Sequence, residues 1–519
     1  MTITADSPVQ LGSTTPRLFT PPLVTGPPGE CGCGCALSRA TSTGFEVIDF
    51  SRNMLRQSLL PWQKFAVIHG GELLSDGRPR FRIVLLLVAR QNGKTHLPVV
   101  LSVYWQFRKN VPLTLGTSTK LAYAKESWRK AVNLVKATPA LDDLHEPGRK
   151  WYRRTNGETE SWSIADARYL IAASNDEGGR SLTINRGIAD ELRQHHTYDA
   201  WEAFEPACSP MDAQIWALSN AGSMKSVVLN DLQDSAREFI ATGVGDPRLG
   251  LMEYSAPDGS DPENIDALLQ ANPRVGYGLD LEVLLAAARR AKRLGGVALT
   301  GFQTERMCIR VKVLNPAIEP GPWRDCSGAP ESFEDLRGRV ALVADVAPSM
   351  QSASLYAAAL QPDGRVRVGP VESWNGPNAT DKMRQALPGL VSAIKPRAFG
   401  WLPLKAPAVA ADLKDRTKAG RRGEWPPPGV VVEEIRGEVA AVCEGFAEQV
   451  VAGRIWHTDD PRLNDQVATA EWLNRGDTKV FSRNGDCDAL YAAAGAVHLA
   501  RILPAGLGRI RLVGPAENP

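Results

Sequence analysis

The sequence predicts an α/β protein made of two successive sheets with helices packed against them. Three observations carry this prediction. An apolar strand ends in a polar turn at residues 89–95, a second strand ends in the adjacent acids Asp190 and Glu191, and a new strand–acid series begins at Val340. Apolar runs of strand length alternate with helical periodicity between these points, which favours a largely parallel sheet. A chain of 519 residues also has room for more than one domain.

The polar turn follows the apolar run 83–88 and is typical of a phosphate-binding loop. The backbone of such a loop cradles phosphates, its lysine pairs with β- and γ-phosphate oxygens, and its hydroxyl residue binds Mg²⁺. Gly93, Lys94 and Thr95 supply these parts, although Val88 stands where the first glycine of the usual motif would be. The alternative is an ordinary turn through Asn-Gly between a strand and a helix. The acids downstream favour the phosphate loop.

The acid pair lies at the end of the apolar segment 182–189. ATP hydrolysis needs one acid to hold Mg²⁺ and a residue that orients the attacking water. We assign Asp190 to the metal and Glu191 to the water. Taken alone, the two acids could simply begin a solvated helix, where negative charge is favoured. Together with Lys94 they predict a P-loop ATPase domain of the ASCE type (strand, loop and an additional catalytic glutamate) with a parallel sheet.

A second set of acids occurs in the C-terminal half. The segment 340–345 reads as a strand ending in Asp345, a hairpin, helices and further strands follow, and the last helix opens with Asp486 and Asp488. This order predicts an RNase H-like nuclease domain. Carboxylates from its first strand and last helix would hold two divalent cations that cleave a phosphodiester. We assign Asp345 as the bridging ligand, Asp488 as the helix ligand and Asp486 as a reserve. Helix capping and turn chemistry are the alternative.

Composition places the domain boundaries. The predicted parts are a flexible Pro/Gly/Ser/Thr-rich arm over 1–44, an ATPase domain over 45–315 with a helical lid at about 255–312, a linker over 316–334, a nuclease domain over 335–505 and a tail over 506–519. The net charge of +2 does not indicate a nucleic-acid binder, but local loops can grip DNA without it. No run approaches the roughly 20 apolar residues that span a membrane.

Three of the eight cysteines, Cys31, Cys33 and Cys35, lie together in the arm. They could bind a soft metal, but a tetrahedral zinc site needs a fourth ligand. The interpretation we favour from sequence is a flexible segment with incidental thiols. The other cysteines are scattered, which is typical of a reducing compartment rather than a disulfide framework.

The motifs together resemble those of the large subunit of tailed-bacteriophage terminases, over about residues 45–505. Leu60-Pro61-Trp62-Gln63 is similar to the adenine-recognition segment of that family, residues 89–95 to its deviant phosphate loop, residues 188–191 to its acids and residues 488–498 to its final nuclease helix. The resemblance implies that ATP contacts Trp62, Gln63, Arg90, Gln91, Asn92, Gly93, Lys94 and Thr95. It also implies that Ser219, Asn220 and Ala221 couple hydrolysis to movement.

The resemblance further implies a DNA-packaging motor that hydrolyses ATP with Mg²⁺ and cuts concatemeric viral DNA with Mg²⁺ or Mn²⁺. Arg90 would sense or stabilise the γ-phosphate, and an arginine from a neighbouring subunit, Arg129 or Arg154, could also contribute. The expected partners are double-stranded viral DNA, the portal protein, the small terminase subunit and other copies of the chain in a ring, a pentamer on the procapsid. The expected location is the host cytoplasm, with transient docking at the portal.

One departure from the family pattern concerns the second nuclease acid. The strand near 397–404, where the family carries it, has no carboxylate, so Asp412, Glu433 or Glu434 would have to replace it as a metal ligand. The main alternative function is therefore an ATP-dependent DNA translocase or helicase-like protein with a degenerate, non-catalytic nuclease-like domain. A helicase would carry a second RecA-like domain, and 340–505 has no second Gly-Lys-Thr loop. A small-molecule phosphotransferase is a weaker third alternative, because the second half is large and no acceptor lid is recognisable.

Overall fold

The computed structural model describes residues 10–118, 121–144, 151–155, 158–162, 167–173, 182–329, 332–403, 407–415 and 425–502. The chain divides into two compact units, Met1–Leu314 and Asn315–Pro519. Both are mixed α/β with parallel strand pairs, as the sequence predicts. Within the described part of the chain, no helix is long and apolar enough to cross a membrane.

Unit 1 is built on one nine-stranded sheet. Its strands are β1 (Leu18–Phe19), β2 (Ile83–Val88), β3 (Leu113–Ser118), β4 (Tyr152–Thr155), β5 (Glu158–Trp162), β6 (Arg168–Ala173), β7 (Arg186–Asp190), β8 (Gln214–Ser219) and β9 (Leu249–Tyr254). They are ordered β1-β9-β2-β8-β7-β3-β6-β5-β4. The central strands from β9 to β6 are parallel, whereas β1 and the β4–β5 hairpin are antiparallel.

The helices of unit 1 connect these strands and cover both faces of the sheet. They are α1 (Gly44–Asp49), α2 (Pro61–Gly70), α3 (His96–Phe107), α4 (Leu121–Lys136), α5 (Pro139–Asp142), α6 (Asp199–Phe204), α7 (Val227–Thr242), α8 (Ile265–Ala271), α9 (Leu281–Leu294) and α10 (Gly296–Arg306). A π-helix at Phe50–Met54 extends α1, and a 3₁₀ turn at Leu192–Gln194 follows β7. The last three helices, in the region predicted as a lid, share a core of their own around Leu268, Leu284 and Met307.

The sheet order places the phosphate loop and the acids at one edge. β2 and β7 both neighbour β8, so one strand separates the loop strand from the acid strand. All six residues of β2 are buried, which is why it reads as a continuous apolar run rather than an alternating one. Because carboxyl ends of parallel strands meet at one edge, the loop after β2 and the acids ending β7 face the same crevice.

Residues 10–44 are not a flexible arm, which corrects the sequence prediction. Leu18 pairs with Glu253 and Phe19 with Met252 of β9, which extends the sheet by a strand. The backbone N–H groups of Leu23 and Val24 donate to the Glu72 carboxylate, at 2.8 and 3.3 Å. Composition indicated a linker, but long-range pairing with an existing sheet edge overrides that local tendency.

Unit 2 contains a six-stranded sheet and a small hairpin. The sheet strands are β10 (Ala341–Val346), β11 (Ser352–Leu360), β12 (Val366–Asn375), β13 (Ala398–Trp401), β14 (Val431–Glu434) and β15 (Ile455–His457), and the hairpin strands are β16 (Trp472–Arg475) and β17 (Thr478–Phe481). The sheet order is β14-β13-β10-β11-β12-β15. β10, β11 and β12 are antiparallel neighbours, and β13 and β14 add in parallel beside β10. This is the topology that the RNase H-like prediction requires.

Helices cover the two faces of this sheet. They are α11 (Pro320–Asp325), α12 (Ala379–Ile394), α13 (Pro407–Lys414), α14 (Val439–Val451), α15 (Pro461–Thr469) and α16 (Asp488–Ile502), with a 3₁₀ helix at Glu334–Arg339. One core joins α14 and α16 to Ala341, Val343 and Leu402, and the other joins α12 and α13 to Leu342, Ala344 and Trp401. Successive strand residues face opposite sides, so the first set marks the α16 face and the second marks the α12–α13 face.

The stretch 316–334, predicted as a linker, includes structured residues of unit 2. Pro320 is the first residue of α11, a position at which the backbone N–H has no partner within the helix, so proline loses no hydrogen bond there. Trp323 is buried and stacks on His457 with ring centroids 3.8 Å apart. Proline indicated a break in structure here, but at a helix start the same residue is favoured.

Candidate active sites

The phosphate loop of unit 1 runs from the end of β2 to the start of α3, and its backbone is held in an unusual shape. Gln91 and Gly93 have φ angles of +67° and +87°. Glycine adopts such angles freely, whereas they are costly for glutamine. The Gln63 side-chain amide donates to the Gly93 carbonyl at 3.0 Å, and its oxygen accepts the Leu60 N–H at 2.8 Å. The first turn of α2 therefore holds the loop in place through Gln63.

Asn92 holds the loop from inside. Its side chain is fully buried and donates to the Ala89 carbonyl and to Asn272 Oδ1, both at 3.0 Å. Its oxygen accepts the backbone N–H of Arg274 at 3.0 Å. Both polar atoms of this side-chain amide are thus used within the protein, and they tie the loop to Asn272 and Arg274 next to α8.

A cleft of about 950 Å³ opens beside the loop. Among the predicted ATP contacts and acids, it is lined by Arg90, Gln91, Gly93, Lys94, Thr95, Asp190 and Glu191. Trp62, Gln63 and Asn92 do not line it. Trp62 is fully buried and packs edge-on against Tyr254, with ring centroids 5.5 Å apart. In this structure Trp62 and Gln63 support the site rather than face it.

Lys94 bridges from the loop to both acids. Its Nζ lies 3.1 Å from Glu191 Oε1 and 3.6 Å from Asp190 Oδ1. Glu191 has a left-handed backbone with φ +56°, and its N–H donates to Asp190 Oδ1 at 2.9 Å. This turn at the end of β7 lets consecutive carboxylates both reach the lysine. The juxtaposition predicted from sequence is therefore present as an ion-paired triad.

The environments of the two acids move their pKa values in opposite directions. Burial raises the pKa of Asp190, and Lys94 only partly opposes it. Burial also acts to raise the pKa of Glu191, but Lys94, Arg193 and Arg90 together outweigh it and lower that pKa. Such separation is typical of acids with different roles. Glu191 is the carboxylate held ionised, as a residue that polarises water must be.

Arg193 is a member of this site that sequence reasoning did not find. Its Nε lies 3.3 Å from Glu191 Oε2, and its NH1 lies 2.6 Å from Glu305 Oε1. Arg90 pairs with the other oxygen of Glu305 at 2.9 Å. The charges therefore alternate along Lys94, Glu191, Arg193, Glu305 and Arg90. Only the position of Arg193 just past the acid pair could have hinted at this role.

The predicted coupling segment lies directly beside that chain of charges. Ser219 is buried at the end of β8, and its Oγ accepts the backbone N–H of Arg193 at 3.1 Å. Asn220 donates to the Thr304 carbonyl of α10 at 3.1 Å, and Ala221 is buried. A displacement of the end of β8 would therefore move both Arg193 and α10 through these two hydrogen bonds. Of the two arginines considered for a neighbouring subunit, Arg129 pairs with Glu126 on α4, and the Arg154 side chain lies outside the described residues.

In unit 2, the structure brings Asp345 and Asp488 together on the α16 face of the sheet. Asp345 ends β10 on the same face as Ala341 and Val343, and Asp488 begins α16. Both are fully buried. The carboxylate of Asp345 accepts hydrogen bonds from both terminal nitrogens of Arg483, at 2.8 and 2.9 Å. The pKa of Asp345 is raised to about 6, mainly by burial and in smaller part by the charge of Asp488, while Arg483 acts to lower it.

Asp488 is surrounded by donors of its own. Its oxygens accept from Ser352 at 2.7 Å, Ser354 at 2.6 Å, Gln466 at 3.0 Å and Arg462 at 3.1 Å. Arg462 also contacts Ser352. Two buried acids thus face two arginines, an arrangement stable only while every partner is present. Two convergent carboxylates offer the oxygen ligands that Mg²⁺ and Mn²⁺ prefer, so the donor set fits one divalent cation.

The remaining predicted metal ligands of unit 2 do not join this pair. Asp486 is exposed. Asp412 lies on α13, on the opposite face of the sheet, and pairs with Arg384 at 3.0 Å. Glu433 is exposed at the edge strand, and Glu434 pairs with Lys414 and Arg436. Across the described ranges, no third carboxylate completes a cluster with Asp345 and Asp488.

The Mg²⁺ ligands predicted in unit 1 are better placed. Thr95 stands at the start of α3 and lines the cleft together with Asp190. A hydroxyl and a carboxylate that line the same cleft fit Mg²⁺, which is bound in such sites by one or two protein groups, waters and substrate phosphates.

Three comparisons with known proteins bear on the whole chain. No protein-family model and no curated protein matches it. Among solved structures, it is similar to the large terminase of bacteriophage HK97, with 16% identity and a TM-score of 0.44, over 88% of this chain and 99% of that one. It is similar to the large terminase of the thermophilic bacteriophage D6E, with 12% identity and a TM-score of 0.31, over 88% and 98%.

A shorter match falls on a nuclease. The large terminase nuclease of thermophilic phage G20c aligns with 13% identity and a TM-score of 0.24, over 31% of this chain and 81% of that one. A D6E large terminase that matches was solved in complex with ADP, with 13% identity and a TM-score of 0.32, over 88% and 98%. These proteins are of the class that the sequence motifs resemble.

Proposed function

We propose that this protein is the motor subunit of a viral DNA-packaging machine, a terminase large subunit. It would hydrolyse ATP in unit 1 to translocate double-stranded DNA into a procapsid and cut concatemeric DNA in unit 2. The observation that carries the motor half is the Lys94–Asp190–Glu191 triad, placed at one sheet edge with β8 between its two strands.

The ion-paired triad suggests how nucleotide binding would begin. In this structure Lys94 pairs with Asp190 and Glu191. When ATP enters the cleft, its β- and γ-phosphates offer the lysine a stronger partner. Lys94 would then leave Glu191, which becomes free to orient and polarise the attacking water. Mg²⁺, held by Thr95 and Asp190, would neutralise charge developing on the phosphates.

Arg193 and Glu305 offer a path from that event to movement. Loss of Lys94 from Glu191 removes one of the two cations that face it, so the pairing of Arg193 with Glu191 and Glu305 must adjust. Glu305 belongs to α10. Ser219 accepts the backbone N–H of Arg193, and Asn220 donates to Thr304 of α10, so the end of β8 contacts both partners of this ion pair. We infer that β8 and α10 respond together to the γ-phosphate, as a motor requires of its coupling segment.

The nuclease half is carried by Asp345 and Asp488. They would hold one Mg²⁺ or Mn²⁺ once Arg483 yields its place beside Asp345, and the cation would polarise the scissile phosphate. Arg483 and Arg462 would then be near to neutralise the negative phosphodiester. The partners that follow are double-stranded viral DNA, held mainly through its phosphates, the portal protein, the small terminase subunit and a ring of further copies, a pentamer. The work would take place in the host cytoplasm at the procapsid portal.

One experiment separates a motor that moves along double-stranded DNA from a strand-separating helicase. The full chain is given a duplex carrying a third, triplex-forming strand, and separately a forked duplex, each with ATP and Mg²⁺. A packaging motor displaces the third strand and leaves the forked duplex paired. Unwinding of the fork, or no ATP-dependent displacement at all, would overturn the motor assignment. The cutting function is tested separately on supercoiled plasmid with Mg²⁺ or Mn²⁺.

A further inference from the structure

Three thiols and an imidazole meet at the C-terminal end of α2, within unit 1. The Sγ atoms of Cys31 and Cys33 each lie 3.5 Å from His69 Nε2, and that of Cys35 lies 3.8 Å from it. Cys31 and Cys33 are 3.2 Å apart, and all four potential ligand atoms lie within 4.8 Å of one another. No other such group of His, Cys, Asp and Glu side chains occurs among the residues described.

These distances suit four ligands around one ion. With Zn–S bonds of about 2.3 Å and a Zn–N bond of about 2.0–2.1 Å, tetrahedral angles separate sulfur from nitrogen by about 3.6 Å and sulfur from sulfur by about 3.8 Å. The three observed sulfur–nitrogen distances, 3.5, 3.5 and 3.8 Å, lie on either side of the first value. The sulfurs of Cys31 and Cys33, 3.2 Å apart, would separate by about 0.6 Å to reach the second value. A disulfide would need sulfurs about 2.05 Å apart, and all eight cysteines are free.

The local sequence explains how three closely spaced cysteines can face one point. Gly32 and Gly34 alternate with them and have φ angles of +81° and +90°, which glycine adopts at little cost. The loop is closed by a backbone hydrogen bond from the Gly29 N–H to the Cys35 carbonyl at 2.7 Å. The turn therefore gathers the thiols on one side instead of spreading them along an extended chain.

The imidazole is fixed before any ion arrives. His69 is buried and stacks on Phe65 with centroids 3.9 Å apart, and Phe19 of β1 packs edge-on against it at 5.4 Å. Because both aromatic neighbours belong to structured elements, the ring cannot turn away from the loop. A histidine preorganised in this way leaves little ordering entropy to be lost on binding a metal.

We propose that Cys31, Cys33, Cys35 and His69 bind one zinc ion in a tetrahedral Cys₃His site. Four protein ligands leave no open position for a substrate water, so the site is structural rather than catalytic. His69 supplies the fourth ligand that the cysteine spacing alone lacked, and it lies 34 residues beyond Cys35. Thiolate-rich tetrahedral sites select zinc over Mg²⁺ or Mn²⁺, so this ion differs in kind from those proposed for the two active sites.

The ion would join the N-terminal segment to the helix that supports the phosphate loop. Cys31 and Cys35 pack against the small core of Leu37, Phe45 and Ile68, which includes α1 and α2. The same α2 carries Gln63 at its other end, bonded to the Gly93 carbonyl. Zinc loss should therefore loosen residues 29–37 first and α2 second, and lower the thermal stability of unit 1.

The first test is the metal content of the full chain, purified with zinc present and desalted. We expect about one zinc per chain, and expect Co²⁺ loaded into the chelator-treated protein to give the visible bands of tetrahedral thiolate coordination. Cys33→Ala and His69→Ala should each lose the zinc. Cys208→Ala, which removes a thiol outside the cluster, should keep it. No zinc in the unmodified protein, or equal zinc in all three variants, would overturn the proposal.

A second measurement covers the case in which those variants do not fold, and it uses the unmodified chain alone. Zinc-loaded protein is treated with a thiol reagent with and without a strong zinc chelator. We expect three thiols to react slowly until the chelator is added, and the chelator to lower the melting temperature. Thiols that react at the same rate with and without chelator would overturn the site. Neither readout depends on ATP or DNA, so this result stands apart from that of the motor assay.

Discussion

Arg193 and Glu305 lie 2.6 Å apart and join the end of the acid strand to α10. The same arginine contacts Glu191 and, through its backbone N–H, Ser219. It is the point in unit 1 where Glu191, the end of β8 and the helix α10 meet. That position gives it a testable role distinct from those of the loop and the acids.

Arg193→Ala should lower the rate of DNA-stimulated ATP hydrolysis by about 10- to 100-fold, because it removes charge-assisted hydrogen bonds of about 1.5–3 kcal/mol from Glu191 and Glu305. ATP binding should change little, since Arg193 does not line the cleft. Turnover and nucleotide affinity would be measured separately. Arg52→Ala, an exposed arginine paired with Asp49, serves as the control. An effect on affinity alone would assign Arg193 to nucleotide binding instead.

Lys94→Ala should abolish ATP hydrolysis while the protein stays folded, because the lysine is the cation that the phosphates would recruit from the acids. The matched control is Lys130→Ala, which removes another lysine of the same cleft, one that pairs with Glu126. We expect that variant to retain most of its activity. Steady-state turnover with circular dichroism checks both. Normal hydrolysis by Lys94→Ala would end the ATPase assignment.

Glu191→Gln should bind ATP yet hydrolyse it about 10²- to 10⁴-fold more slowly, the range expected when a positioned base is lost. The amide keeps the shape of the carboxylate but cannot accept a proton. Fluorescent-nucleotide binding and single-turnover hydrolysis would be compared with Glu202→Gln, an exposed acid of α6. Unchanged single-turnover hydrolysis would move the water-orienting role to another residue.

Much of this site could be predicted because it depends on strand ends. A buried strand followed by Gly-Lys-Thr and another followed by Asp-Glu must meet if the strands are parallel and close in the sheet. The triad of Lys94, Asp190 and Glu191 follows from that rule. Trp62 is different, because an aromatic residue near a helix start reads the same whether it faces a nucleotide or the core. Only the packing of Trp62 against Tyr254 in the structure shows that this side chain faces the core.

The parts that sequence did not predict depend on long-range contacts. Arg193 meets Glu305 across 112 residues, and His69 meets the cysteines across 34 to 38. Asp412 lies on an amphipathic helix, but the sequence cannot tell which face of the sheet that helix covers. The antiparallel pairing of Leu18–Phe19 with β9 is also a long-range contact. In addition, a strand of two residues is too short to show periodicity in the sequence.

Glu253 should make unit 1 sensitive to acid. Its buried carboxylate accepts from Arg17 at 2.6 Å and Arg237 at 2.7 Å. Burial acts to raise its pKa, but Arg237 and other donors lower it to about 2. The unfolded value is about 4.3, so Glu253 contributes stability above that pH and loses it as the pH falls towards 2. The full contribution is about 3 kcal/mol.

The test compares wild type with Glu253→Gln in denaturant unfolding between pH 7 and pH 2.5. The variant should be less stable at pH 7, and the difference should shrink steadily below about pH 4. Glu202→Gln controls for loss of an exposed acid. A stability difference that does not vary with pH would mean that Glu253 acts through packing rather than through its charge.

Substitutions at the carboxylates of unit 2 test whether this unit is an active nuclease. Asp345→Asn should abolish metal-dependent nicking of supercoiled plasmid by the full chain, because the amide cannot supply the anionic ligand that a divalent cation needs. The substitution keeps the shape beside Arg483 and so spares the fold better than alanine, which would leave that arginine buried without its partner at a cost of about 3–5 kcal/mol. Asp486→Asn, at an exposed acid, should nick like wild type. Mn²⁺ should also raise the melting temperature of wild type and of Asp486→Asn by more than that of Asp345→Asn, since a ligand that binds only the folded state stabilises it. Nicking that survives in Asp345→Asn would place the chemistry elsewhere. If wild type neither nicks DNA nor gains stability from Mn²⁺, the arginines hold both carboxylates permanently, and unit 2 is the inert domain of a translocase.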